Sequence, residues 1–123
     1  MLLLLLFYYF ASSFQQRAQR EKAIICYEKL LKHHPNFLDA NFLVAECYFI
    51  RHDIEKSQYY FERQLSSDTM HWKTYARLVE IEHGRQNKPA AFQYLQEIYK
   101  IDAMKQINPD ELLRLKRMVE MEL

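Results

Sequence analysis

Glycine is nearly missing from this chain: Gly84 is the only one, and the prolines are limited to Pro35, Pro89 and Pro109. Sheet proteins turn often and tightly, and tight turns draw on Gly and Pro. So sparse a supply excludes a many-stranded sheet and favours a few long helices with short connections. Cysteine is scarce too. Cys26 and Cys47 do not make a disulfide framework. Each falls among apolar residues in a helical pattern, where a buried free thiol is expected. Zinc needs clustered ligands, and none are clustered here. An excess of one charge is also lacking: 17 basic residues face 16 acidic ones, for a net +1. That balance gives no footprint for nucleic acid, and the interspersed charges read as solvated helix faces. Catalytic signatures are missing as well, with no glycine-rich phosphate loop, no HExxH, no CxxC and no GxSxG. The histidines (His33, His34, His52, His71 and His83) are scattered, and the first two suit the C-terminal end of a helix. No pocket of convergent polar groups follows from this pattern. The chain is therefore expected not to be an enzyme, with no cofactor, no metal and no small-molecule substrate.

What is present is a globular composition. The 123 residues are 50% hydrophobic and 27% charged, which fits one domain spanning 1–123. The most apolar stretch is 1–10, and it has three readings. A membrane span needs about 20 apolar residues, and this run ends at Ser12. A targeting segment over 1–13 fits the small residues Ala11 and Ser13, although no Lys or Arg precedes the apolar run. The third reading is a buried first helix, and the internal repeat favours it.

The repeat appears when the sequence is shifted against itself by 34 residues. Ala23 then meets Ser57 and Ala91, Tyr27 meets Phe61 and Leu95, and Leu30 meets Gln64 and Ile98. Pro35 meets Thr69 and Ala103. Upstream, Phe7 meets Asn41 and Tyr75, Phe10 meets Val44 and Leu78, Ala11 meets Ala45 and Val79, and Phe14 meets Tyr48 and Glu82. Self-similarity at one fixed period marks a solenoid of stacked units. The pattern predicts helices over 3–17, 20–32, 38–51, 54–65, 72–83 and 89–101. Gly84 is expected to end the fifth as a left-handed cap, and Pro89 to open the sixth. A seventh begins at Asn108, with Asn as N-cap, Pro109 first, and Asp110 and Glu111 complementing the dipole. Its stripe of Leu112, Leu115, Met118 and Val119 would cover the last exposed face.

The segment Lys22-Ala23-Ile24-Ile25-Cys26-Tyr27-Glu28-Lys29-Leu30-Leu31, closed by Pro35, resembles the second helix of a tetratricopeptide repeat (TPR). Small residues stand where that family needs close helix approach: Ala11 and Ala45, then Ala23, Ser57 and Ala91. Large ones stand at Tyr27, Phe61 and Leu95, which are expected core residues. The likeness covers about 5–103. It departs from the family in lacking the first-helix glycine, in keeping the closing proline once, and in placing polar Gln64 and Glu82 at apolar positions. It implies an all-α, right-handed solenoid of three antiparallel helix pairs, over about 4–37, 38–71 and 72–105, plus a capping helix over about 108–123. A second likeness joins Tyr59-Tyr60-Phe61-Glu62-Arg63-Gln64-Leu65 to Tyr75-Ala76-Arg77-Leu78-Val79-Glu80-Ile81, which is similar to repeats of the large TPR subunit of intraflagellar transport complex A.

In this family the first helix of each pair lines a concave groove. Carried over position by position, that implies a partner-binding surface of Tyr8, Tyr9, Phe42, Leu43, Phe49 and Ile50 at an aromatic end, and Lys73 and Arg77 at a basic end. The chaperone-tail clamp of the family is not reproduced: Tyr8, Ser12 and Leu43 stand where its other cation and two amides belong. The resemblance thus implies a cytoplasmic scaffold for a peptide or helix of another protein, without nucleic acid or membrane as partner. The alternatives are a structural subunit of a large assembly, such as a ciliary complex, and a secreted or membrane-attached protein led by 1–13.

Overall fold

The computed structural model describes residues 3–6, 8, 19–104 and 107–120. Among them six helices have defined bounds: α1 Arg20–His33, α2 Ala40–Ile50, α3 Ile54–Ser67, α4 Trp72–Gly84, α5 Lys88–Asp102 and α6 Pro109–Glu120. Residues 3–6 and 8 are helical too, and the described residues contain no strand. The protein is all-helical over this range. The chain divides into two compact units, Met1–Thr69 and Met70–Leu123.

In the first unit α2 packs on both α1 and α3. Phe42, near the start of α2, meets Phe61 in the second half of α3, while Tyr48, near the end of α2, stacks on Tyr60 and lies under Lys56. Start against end and end against start means the two helices run antiparallel. In the second unit α4 packs on α5, and α6 lies against both. A short connection, Arg85 to Asn87, joins α4 to α5, and α5 packs back along α4.

The turns inside the two pairs have one geometry. Arg51 and Arg85 are right-handed, then His52 and Gln86 turn left-handed at φ 64° and 62°. Asp53 and Asn87 follow as N-caps. Their amides return to the preceding helix alike, Asp53 N to Tyr48 O and Asn87 N to Glu82 O, both at 2.9 Å. Their side chains then accept from Lys56 N and Ala90 N, both at 3.3 Å. Each partner stands 34 positions after its equivalent (53 to 87, 48 to 82, 56 to 90), so the sequence period is a backbone period as well. The starts of α1, α3 and α5, at Arg20, Ile54 and Lys88, keep the same phase.

Burial follows it too. Ala23, Ser57 and Ala91 are buried, as are Tyr27, Phe61 and Leu95, Leu30, Gln64 and Ile98, Asn41 and Tyr75, Val44 and Leu78, Ala45 and Val79, and Tyr48 and Glu82. Tyr27 and Phe61 are fully enclosed. Around Tyr27 gather Ala23, Leu30, Leu31, Ala40, Val44 and Tyr48, with Leu4 and Tyr8 laid against them. The apolar N-terminus thus contributes to the core where it is described, although Leu3 and Leu6 are exposed. Phe7, Phe10, Ala11 and Phe14, which carry the repeat reading of this segment, and Ala11 and Ser13, which carry the targeting reading, lie outside the described residues. No helix among the described residues is long and apolar enough to cross a membrane.

Gly84 does not take the role expected of it. It is the last residue of α4 and has no positive φ; the left-handed position falls two residues later, on Gln86. Leu38, expected to start a helix, is itself left-handed at φ 44°, and α2 begins at Ala40. Lys88 opens α5, with Pro89 second. Asn108 does cap α6, its Oδ1 accepting Asp110 N at 2.9 Å, and Leu115 and Val119 are buried beneath it.

Candidate interaction site

The residues expected on a binding face stand on different footings. Ile50 is 47% exposed, and Leu43 and Phe49 are half-buried on the same helix, α2. Phe42 is not on an open face: it is 7% exposed, its ring 5.8 Å from that of Phe61. Tyr8 is half-buried, hydrogen-bonded to the Asp39 carboxylate and flanked by the rings of Tyr27 and Phe37. Tyr9 lies outside the described residues. Lys73 and Arg77 belong to the second unit, on α4. Lys73 is exposed, whereas Arg77 pairs with Glu80 at 2.7 Å. Ala76, between them on the same helix, is buried.

The reason Phe42 is sealed lies at the start of α2. The first amides of a helix have no partner within it. Asp39, the N-cap, makes no side-chain cap bond. Gln64 reaches over from α3 instead, and its Oε1 accepts the Phe42 N–H at 3.2 Å. Gln64 is therefore polar at an apolar repeat position because it caps the neighbouring helix, and this draws Phe42 against α3. Asn41 works nearby: its Nδ2 donates to Pro35 O at 2.8 Å, holding the α1–α2 connection against the core.

Three helices of the first unit meet at Glu28. The hydroxyls of Tyr48 and Tyr60 both donate to its Oε2 at 2.8 Å. The two rings stack 5.9 Å apart and only 3° from parallel, with Arg51 and Lys56 over the Tyr48 face. Burial, and then the bond to Glu28, push both phenols above their ordinary range. They remain neutral donors at physiological pH, so the cluster serves as a structural clasp rather than a source of a phenolate nucleophile. Burial likewise pushes the Cys47 thiol up to about 11, keeping it unreactive. Cys26, expected to be buried, is only half-buried.

The second unit has an ionic counterpart. Arg114 of α6 reaches Glu80 of α4 at 2.5 Å and Glu111 of its own helix at 2.6 Å. Glu80 thus joins Arg77 to the capping helix. The bond to Arg114 holds the Glu111 carboxyl below the usual carboxylate range. Among the described residues no group of His, Cys, Asp or Glu is arranged to hold a metal ion.

The sequence pattern missed the Glu28 cluster and the capping role of Gln64, because both join residues from different helices. One signal was available: Arg51-His52-Asp53 is followed 34 residues later by Arg85-Gln86-Asn87, a repeated Arg-x-Asp/Asn that marks the turn. No protein-family model matches the chain, and no match is found among curated proteins.

Proposed function

We propose that the chain is a protein-binding scaffold of the tetratricopeptide type, its helix pairs forming a solenoid whose first helices present the contact surface. The observation that supports this reading is the recurrence, 34 residues on, of the same turn with the same backbone and cap bonds. A backbone frame that repeats while its surface side chains vary suits display of a different binding surface on a constant support. On α2 that surface is apolar. Leu43, Phe49 and Ile50 remain partly or largely accessible, as the anchors of a protein contact must be. On α4 it is carried by Lys73. Phe42 belongs to the core and is left out of the contact set.

The test places a photo-crosslinking residue at Ile50 or Lys73 on the first helices, and at Glu55 or Gln93 on the second. A protein captured from the first helices, and released by Ile50→Asp with the helical signal intact, supports the reading. Capture from Glu55 or Gln93 alone would overturn it.

A further inference from the structure

At the C-terminal end of α1 the first unit carries an open depression of about 500 Å³. Its apolar part is Leu3, Leu4 and Leu30; its rim is Lys29, Lys32, His33 and His34. Leu30 is buried in the core and Leu4 packs on it, so this floor is fixed, while Leu3 stands 77% exposed at the edge. A volume of this size falls in the range of small-molecule sites, about 300–1,000 Å³.

The charge is what selects a ligand. A helix C-terminus carries about half a negative charge, and basic residues in a last turn ordinarily balance it. Lys29 and Lys32 alone bring more positive charge than that, with His33 and His34 beside them. None of the four forms an ion pair among the described residues. Two carboxylates of the same unit are engaged elsewhere, Glu28 by Tyr48 and Tyr60, and Asp39 by Tyr8. An apolar floor with an unbalanced cationic rim complements an apolar tail with an anionic head.

We infer that this depression binds a free fatty carboxylate, its unbranched tail on Leu3, Leu4 and Leu30 and its head group between Lys29 and Lys32. The site is separate from the proposed contact surface on α2 and does not depend on it.

The experiment titrates the full chain with decanoate below its micelle concentration, by calorimetry. Saturable one-to-one binding that weakens with added salt is expected, with none for decyltrimethylammonium, which has the same tail and the opposite charge. Lys29→Glu with Lys32→Glu should weaken decanoate binding at least about tenfold. Leu3→Ser, at an exposed position that spares the fold, should weaken it on its own, and it decides the matter if the double variant fails to fold. The inference is overturned by absence of saturable decanoate binding, by equal binding of the cationic amphiphile, or by decanoate binding that folded Lys29/Lys32 and Leu3 variants leave unchanged. Binding of phosphatidylglycerol vesicles without binding of decanoate would overturn it as well, by making the patch a membrane contact.

Discussion

Pair α2/α3 turns through Arg51, His52 and Asp53, and pair α4/α5 through Arg85, Gln86 and Asn87, with the same dihedrals and return bonds. Beyond the turn their chemistry diverges. The first pair is closed by aromatic rings, a shared carboxylate and the Gln64 cap. In the second, Ile98 stands where Gln64 does and offers no acceptor. Its helix α4 instead begins with a local contact, His71 Nδ1 to Thr74 Oγ1 at 2.8 Å, and is braced by the Arg114–Glu80 pair. The repeat therefore preserves where the backbone turns and where bulk is buried, while the polar groups that complete each unit are specific to it.

The comparison breaks most readily in the core. Phe61→Ala should cost about 3–5 kcal/mol and Leu95→Ala, at the equivalent position, about 2–5 kcal/mol, read from urea denaturation followed by circular dichroism. A negligible shift for both would mean that the shared phase does not mark the shared core.

Removing the clasp of the first unit comes next. Glu28→Ala deprives two phenols of their acceptor and should cost about 1–3 kcal/mol. A pH series sharpens the point. A phenol kept protonated by the fold contributes fully below its unfolded value of about 10, and the contribution is lost as pH rises through the higher folded value. Tyr48 and Tyr60 lie on that branch, and so does Tyr99, which burial and then its bond to Glu120 push up to about 12. Urea midpoints should fall above pH about 10. The Tyr48→Phe, Tyr60→Phe double variant should flatten that fall more than Tyr99→Phe. Equal slopes in all three proteins would assign the alkaline loss to other groups.

The turns test what the two pairs share. Left-handed backbone suits glycine, so His52→Gly and Gln86→Gly should each stabilise by up to about 1 kcal/mol, and by similar amounts. Gly84→Ala should stabilise as well, by about 0.5–1 kcal/mol, since the residue is helical and an added Cβ meets no atom within 4 Å. Destabilisation by Gly84→Ala would restore glycine as the turn-forming residue.

The smallest effect is expected at the brace of the second unit. The Arg114 side chain is 44% exposed, against 15% for Glu80, and a pair with one partner open to solvent contributes about 1 kcal/mol or less. Arg114→Ala should loosen α6, seen as faster amide exchange there, and the difference from the parent protein should shrink in salt. Unchanged exchange would leave Leu115 and Val119 as what holds the helix.

The period, the helix starts at Arg20, Ile54 and Trp72, and the burial of the described repeat positions were legible in the sequence because each depends on spacing along one chain. The Asn108 cap was legible for the same reason. Phe42 was misplaced because α2 (ANFLVAECYFI) is apolar on nearly every side, so no polar face says which side is open. The choice is made by Gln64, 22 positions away. Gly84 drew attention as the only glycine, yet the phase from His52 leads to Gln86, and two non-glycine residues accept the left-handed turn.

Glu28 has a mechanical consequence. Apolar contact resists separation but has little direction, so helices joined by it alone can slide. One carboxylate oxygen of α1 receives a hydroxyl from α2 and another from α3, and a slip of one helical turn, about 5.4 Å, would break the bonds it crosses. Tension applied to α1 is thereby shared among three helices. A single-molecule pull on α1 should release them in one step, and Glu28→Ala should divide that step into smaller ones; a stepwise release in the unaltered chain would show that the oxygen bears no such load.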